Sequence, residues 1–340
     1  MPVGGCHEPP DGDSRYARDV RVLVVGGTGF IGGPTVRRLV ASGHEVAVFH
    51  RGKTALELPR GVERLVGDRT RIAGYAERLR GWKPDVVIDF VAFTAADVRG
   101  LIDALRGVAQ RIVVLSSLDV YRAYDRLMRV QQGPPDATPL REDAPLRELA
   151  FPRRRWASGP DDVMWDYDKI PVERAALSKP ELPGTVLRLP AVYGPGDHAR
   201  HRVGEYVTRM DSGAGTLDLD ADLSAWRWTR GYVDDVADAV AIACVDGRAS
   251  GRTYNVGEVA PQAEGEWARA IARVAGYAGT IVERKREDLP AAVARELDGR
   301  NFAHDLVLDT SRIQGELGWR PRVPLDEALE ASIAWERETA

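Results

Sequence analysis

Cysteine is nearly absent: the 340-residue chain holds two, Cys6 and Cys244. No CxxC and no Cys/His spacing surrounds them, so neither a disulfide framework nor a bound metal is expected. Long apolar runs are missing too. Nothing approaches the roughly 20 consecutive apolar residues that span a bilayer, which speaks against a membrane protein. Residues 1–19 are rich in Pro, Gly and Asp and carry no apolar stretch of the signal-peptide kind. They read as a leader without structure of its own, and the protein is expected in the cytoplasm. An excess of either charge is also lacking. Forty-seven Lys and Arg face 51 Asp and Glu, a formal net charge of -4. No global field draws the chain to nucleic acid or an anionic membrane, so any anion site must be local.

What is present is ordinary globular usage, 44% hydrophobic and 29% charged, over a length that suits one large α/β unit or two joined domains. From Val20 onward, short Val- and Ile-rich runs alternate with helical patterns, the mark of βα units feeding a buried parallel sheet. Strands are expected at Val20–Val25, Glu45–His50, Glu63–Val66, Asp85–Val91, Arg111–Leu115 and Thr185–Leu189, with helices at Ile31–Ser42, Thr70–Gly81 and Ala95–Val108. The fold class is α/β: a doubly wound parallel sheet of the Rossmann type with a smaller C-terminal lobe. Residues 20–189 and about 229–257, the latter with a helical stretch at Val233–Val245, would bind the cofactor, and residues 190–228 and 258–340, with helical stretches at Val203–Gly213, Glu264–Gly276 and Leu325–Glu336, the substrate. Between Arg122 and Pro160 the pattern dissolves into a Pro-rich loop containing the run Arg153-Arg154-Arg155. That run reads as a solvated surface loop, the other reading being a grip on an anionic substrate.

The segment from Val24 to Gly32 sets Gly26, Gly29 and Gly32 between a strand and an amphipathic helix. The first glycine permits a tight turn, the second lets the backbone approach a pyrophosphate, and the third lets helix and strand pack closely. Thr28, Phe30 and Ile31 complete the loop. The acidic residue that would bind an adenosine ribose is absent from the end of the next strand, where His50 stands. Arg51 and Lys53 follow, and a guanidinium offers a fork to a 2′-phosphate. NADP(H) is therefore favoured over NAD(H). Asp68, after the third strand, is placed to accept from the adenine amino group or simply to shape a turn.

These motifs resemble the extended or atypical short-chain dehydrogenases/reductases of the NAD(P)-dependent epimerase/dehydratase type. The resemblance also rests on Leu115–Tyr121, Tyr193–Gly196, Tyr232–Ala237, Tyr254–Gly257 and Leu317–Trp319. It implies hydride transfer on a sugar-like or polyhydroxylated small molecule. Ser117 would polarise the reacting oxygen and Lys169 would hold the nicotinamide ribose while lowering the pKa of a catalytic tyrosine. The family places that tyrosine four residues before the lysine, where this chain has Trp165. An indole cannot cycle a proton near neutral pH.

Tyr167, two residues before Lys169, could reach the site only if the stretch before Pro171 is not regular helix. Asp119 and Tyr121 are the other candidates, Asp119 as a base or as a turn cap. Trp165, His198, His201, Arg202 and Arg227 are expected toward the substrate, Arg227 because Trp228 stands where related sugar-nucleotide enzymes carry a diphosphate-binding Arg. A homodimer through the helices Ala95–Val108 and the stretch after Pro171 is a further implication of the resemblance. Two other readings are a cofactor-binding scaffold or RNA-binding protein of the same fold, and an isomerase or lyase using Asp119 as base.

Overall fold

The computed structural model describes residues 19–53 and 58–340, so Cys6 and the expected leader as far as residue 18 lie outside the described residues. The strands, in chain order, are β1 (Arg21–Val25), β2 (Glu45–His50), β3 (Glu63–Val66), β4 (Val86–Asp89), β5 (Arg111–Ser117), β6 (Gly184–Leu189), β7 (Ala191–Tyr193), β8 (Thr216–Asp220), β9 (Arg230–Tyr232), β10 (Thr253–Asn255) and β11 (Thr280–Arg284). Seven form one parallel sheet in the order β10-β6-β5-β4-β1-β2-β3. The remaining strands make the pairs β7-β9 and β8-β11.

Alternating side chains explain why the strands are apolar on both faces. Val22 and Val24 of β1 enter one core layer, and Leu23 and Val25 enter the other. A parallel strand between two helical layers has no face left for water. The helices Gly32–Ala41 and Val233–Val245 supply Val36, Leu39, Val236 and Val240 to the first layer. The helices Ala76–Gly81, Ala95–Leu105 and Lys169–Ala176 supply Leu79, Val98, Leu101 and Val172 to the second. A third cluster gathers Leu118, Tyr121, Trp226, Phe302 and Leu306 beneath the loop that follows β5.

Two expectations need correction. The helix expected over Thr70–Gly81 is a 3₁₀ turn, Arg69–Tyr75, followed by the helix Ala76–Gly81. The Asp68 carboxylate caps the turn through the Thr70 amide, and Arg71, at φ -117° and ψ 31°, interrupts the helical run. Nor is the segment after β5 purely loop, because Arg122–Leu127 is helical. The stretch beyond it is largely solvent-exposed, as expected, but tied down. Arg122 and Arg126 pair with Asp136, and Arg147 donates from Nε to the Asp119 carbonyl at 3.0 Å.

The first helix ends as its sequence suggests. Gly43 sits at φ +87°, and the His44 amide reaches back to the Leu39 carbonyl at 3.1 Å, a left-handed closure that glycine makes without strain. The carboxyl ends of β1, β4, β5 and β6 then open onto one crevice, where strand order reverses between β1 and β4. Doubly wound sheets bind their ligands at such a reversal.

Candidate active site

The glycine loop leaves β1 with Gly26 at φ +78°, a conformation that glycine adopts freely. A Cβ on Gly32 would stand 2.7 Å from the Gly27 Cα, so helix and strand pack closer there than any side chain allows. A Cβ on Gly29 would meet nothing within 4 Å, so the loop presents bare backbone to open space. Ile31 at the helix start makes no side-chain cap; the Gly33 amide donates to the Gly29 carbonyl at 3.0 Å, and Pro34 has no amide hydrogen to cap. Open space and bare backbone at the positive end of a helix together fit a pyrophosphate. Thr28 and Phe30 flank the loop, and Phe30 lies against the Gly196 turn, where an added Cβ would come within 3.3 Å of its ring.

At the ribose end, His50 accepts the Gly52 amide on Nδ1 at 3.2 Å, and its buried Nε2 has no partner. Arg51 and Lys53 are exposed at the end of β2. One Asp68 oxygen takes both the Thr70 amide and its hydroxyl, each at 2.9 Å, and these bonds lower the Asp68 pKa. The other oxygen makes no hydrogen bond among the described residues.

The reacting end is built where β4 and β5 stop. Asp168, in extended conformation at φ -156° and ψ 113°, caps the helix Lys169–Ala176 by accepting from the Ile170 amide. The helix therefore begins at Lys169, and Pro171 falls in its first turn, where no amide donor is needed. Residues 165–168 are consequently not helical, and Tyr167 turns inward although it stands only two positions before the lysine. Its hydroxyl donates to Asp119 Oδ2 at 3.1 Å, and the Ser117 hydroxyl is also within hydrogen-bonding reach. Lys169 Nζ donates to the carbonyls of Ala92 (2.6 Å) and Leu115 (2.9 Å) and lies 5.6 Å from the centre of the Tyr167 ring.

Electrostatics here follow burial. Loss of solvent pushes the Lys169 ammonium down to about 8, against the pull of Asp119 and Asp89. Burial and then the Asp119 carboxylate hold the Tyr167 phenol well above its ordinary value, with Arg153 acting in the opposite direction. Asp119 is not a turn cap. The Ser117 hydroxyl caps that turn through the Asp119 amide at 3.2 Å, freeing the carboxylate to face the site. Tyr121 is withdrawn from the chemistry, since its hydroxyl donates to Asn255 at 2.6 Å and accepts from Arg188 in a fully buried network.

The residues expected toward the substrate have found other partners. Trp165 lies outside the site beneath Arg154, whose guanidinium is 5.0 Å from its ring centre. His201 stacks on Trp335 at 5.8 Å and pairs with Glu336, while His198 meets the edge of the same indole. Arg202 donates to the Val192 carbonyl and to Asp197, and Arg227 pairs with Asp305 on an exposed face. Trp228 donates its indole N–H to Glu264, which also holds Arg230.

Phe93 was missed in the sequence, and Arg153 was named there only as one of a run of three arginines. Phe93 closes the pocket, 5.3 Å from Lys169 Nζ and 6.0 Å from the Tyr167 ring. Arg153, expected in a solvated loop, instead points inward, stacks 4.4 Å above the Tyr167 ring and reaches Asp119 Oδ2 at 2.8 Å. Nothing in a run of three arginines tells which one turns inward.

Comparison with known proteins agrees with this geometry. The sequence pattern of the NAD dependent epimerase/dehydratase family matches residues 22–132 and 164–257, more than half of the chain. The chain belongs to that family. It is accordingly an NAD(P)-dependent enzyme. It is 30% identical over 330 residues to a 3-diazoavenalumate denitrifying reductase of a Streptomyces species, covering 90% of this chain and 97% of that one. It is 32% identical over 236 residues to a 2'-dehydrokanamycin reductase of Streptomyces kanamyceticus, covering 68% of this chain and 60% of that protein. Among solved structures, an epimerase of Methanothermobacter thermautotrophicus superposes with a TM-score of 0.69 at 19% identity, covering 96% and 94% of the two chains, a likeness of fold. Among the described residues no helix is long and apolar enough to cross a membrane.

Proposed function

We propose that this family member is a reductase that transfers a hydride from NADPH to the carbonyl carbon of a small polyhydroxylated, sugar-like metabolite, with Tyr167 giving the proton to the carbonyl oxygen. The observation that carries this reading is the Tyr167 hydroxyl, held protonated between Asp119 and Ser117 above Lys169. An epimerase or dehydrogenase must first remove a proton from an alcohol, for which its tyrosine has to be a base near neutral pH. A phenol that burial and a neighbouring carboxylate keep protonated is in the form that gives a proton to the oxygen of a carbonyl being reduced. Two relatives bear the name of reductase, one of them acting on a dehydro-sugar antibiotic by its name.

In this scheme Ser117 orients the carbonyl oxygen. Lys169 holds the cofactor ribose and presents positive charge to the developing oxyanion. Phe93 and the loop carrying Arg153 keep water out. The bound nicotinamide supplies the hydride. Arg51 and Lys53 are the residues we assign to a 2′-phosphate, and Asp68 to the adenine. Residues 190–228 and 258–340 form the substrate side. Arg227 pairs outward with Asp305, and in this scheme the loop after β5 supplies the selective contacts at the reacting end. The homodimer face would be the groove between the helices Ala95–Leu105 and Lys169–Ala176, lined by Arg99, Arg106, Arg174 and Lys179.

The test is NADPH oxidation with a panel of sugar-like ketones and aldehydes. Tyr167→Phe is expected to lower kcat by about 100-fold or more, the usual scale of a lost general acid, with NADPH affinity unchanged. A Phe variant that turns over like the native chain refutes the assignment.

A further inference from the structure

Arg153 and Asp119 meet in an unfinished pair. The side of a guanidinium that carries Nε and Nη2 matches the two oxygens of a carboxylate, one N–H to each. Here only one arm is closed, Nη2 to Oδ2 at 2.8 Å. On the other arm Arg153 Nε is a buried donor with no partner, and Asp119 Oδ1 is a buried acceptor with no partner. Asp119 as a whole is 2% exposed. Buried polar groups left unpaired are uncommon in folded proteins, and each calls for an explanation. Both lie beside the Tyr167 hydroxyl, which shares Oδ2.

We propose that this open arm is a substrate subsite for a hydroxyl on the carbon next to the carbonyl, and that Arg153 makes the enzyme selective for α-hydroxy carbonyl compounds. The inference rests on the reductase reading above and names its substrate class. Only a group that both accepts and donates closes the arm: its oxygen takes the Arg153 Nε–H and its proton goes to Asp119 Oδ1. An ammonium leaves Nε unpaired, a carboxylate is repelled by Asp119, and a plain methylene satisfies neither. Arg153 lies between the two stretches that the family's sequence pattern matches, residues 22–132 and 164–257, while Asp119 and Tyr167 lie within them. The loop is nevertheless well anchored. Arg147 pairs with Asp168, and the Phe151 amide donates to Asp168 Oδ2 at 3.1 Å, so the segment carrying Arg153 is fixed to the start of the Lys169 helix.

The experiment compares 2-hydroxycyclohexanone with cyclohexanone as NADPH-dependent substrates of the native chain, Arg153→Met and Arg153→Lys. The native kcat/KM ratio is expected to favour the hydroxyketone by about 10-fold or more, the scale of leaving a buried donor and acceptor unpaired. Both variants are expected to bring the ratio close to one. Lysine keeps the charge and the attraction to Asp119 but has no Nε–H fork, so recovery of the ratio in Arg153→Lys overturns the subsite. So does a native ratio near one, or a ratio that persists in Arg153→Met.

A second measurement needs no turnover. Fluorescence titration of the NADP⁺-loaded chain with cis-1,2-cyclohexanediol and with cyclohexanol reads the same selectivity as affinity. Selective diol binding that is lost in both variants supports the subsite even if neither ketone is reduced, an outcome that would refute the reductase reading alone. Equal affinity for the two alcohols, or binding of neither, overturns the subsite.

Discussion

Two glycines of the cofactor loop give a prediction that separates folding from binding. A methyl group on Gly32 would sit 2.7 Å from the Gly27 Cα, 2.8 Å from its carbonyl carbon and 2.9 Å from its oxygen. Carbon atoms in contact prefer about 3.5–4.0 Å, so the helix Gly32–Ala41 would have to retreat by roughly 1 Å. All three neighbours are backbone and cannot swing aside. Gly32→Ala is therefore expected to cost about 1–3 kcal/mol, the usual range for overpacking. That corresponds to a fall in Tm of several degrees, at roughly 2–4 °C per kcal/mol for a chain of a few hundred residues.

Gly29→Ala meets nothing within 4 Å and is not in the left-handed region, so its stability should stay within about 1 kcal/mol of the native chain and tend upward. Its methyl would instead occupy the space left for the pyrophosphate. Losing one hydrogen bond to a charged group costs about 1.5–3 kcal/mol, so NADPH should bind roughly 10- to 100-fold more weakly. The assays are differential scanning fluorimetry of the free protein and titration with NADPH. Native affinity in Gly29→Ala would show that the open space is not the phosphate site. An unchanged Tm in Gly32→Ala would show that helix and strand are not in the close contact described.

Glu173→Ala is expected to destabilise the fold by about 3–5 kcal/mol, because it strands the buried Arg188 guanidinium that Glu173 holds through two contacts at 3.0 and 2.8 Å; urea unfolding at neutral pH reads it, and a loss under about 1 kcal/mol would refute the buried pair. The Lys169 ammonium, with a folded pKa of about 8 against an ordinary 10.5, should be lost as pH rises through 8, so NADPH affinity should fall from pH 7 to 9 in the native chain and stay flat in Lys169→Met. The sign for stability is opposite: between pH 8 and 10.5 the unfolded chain binds the extra proton, so the penalty of burying this lysine fades as pH rises through that window, and a pH series of unfolding midpoints for native and Lys169→Met proteins should converge toward its upper end.

Much of the fold was legible because βα units write it locally. Runs such as Val22–Val25 and Ile112–Leu115 must be apolar on both faces to sit between helical layers, and β2 and β3 fall where the sequence placed them. The Thr70–Gly81 region was misread because a helical composition does not reveal that Asp68 caps a tighter turn and that Arg71 leaves helical geometry. Tyr121 was a fair candidate beside the strand end, but its hydroxyl is committed to Asn255 and Arg188, residues 134 and 67 positions away.

The sequence by itself determined the Rossmann sheet, the cofactor loop and the likeness to the epimerase/dehydratase family, since each is written in short local runs and motifs that recur in order along the chain. Ser117 and Lys169 were singled out by the family resemblance, and the structure sets them at the end of β5 and at the start of the helix Lys169–Ala176. Only the tertiary structure decided which groups share the reacting end. Tyr167 enters it because Asp168 starts the helix late, and Asp119 is free because Ser117 does the capping. Arg153 arrives from a segment 34 residues beyond Asp119. His201, Arg202 and Arg227 are drawn away by Glu336, Asp197 and Asp305. A charged side chain settles with the partner that packing brings nearest in space, and that partner is commonly far away in the chain.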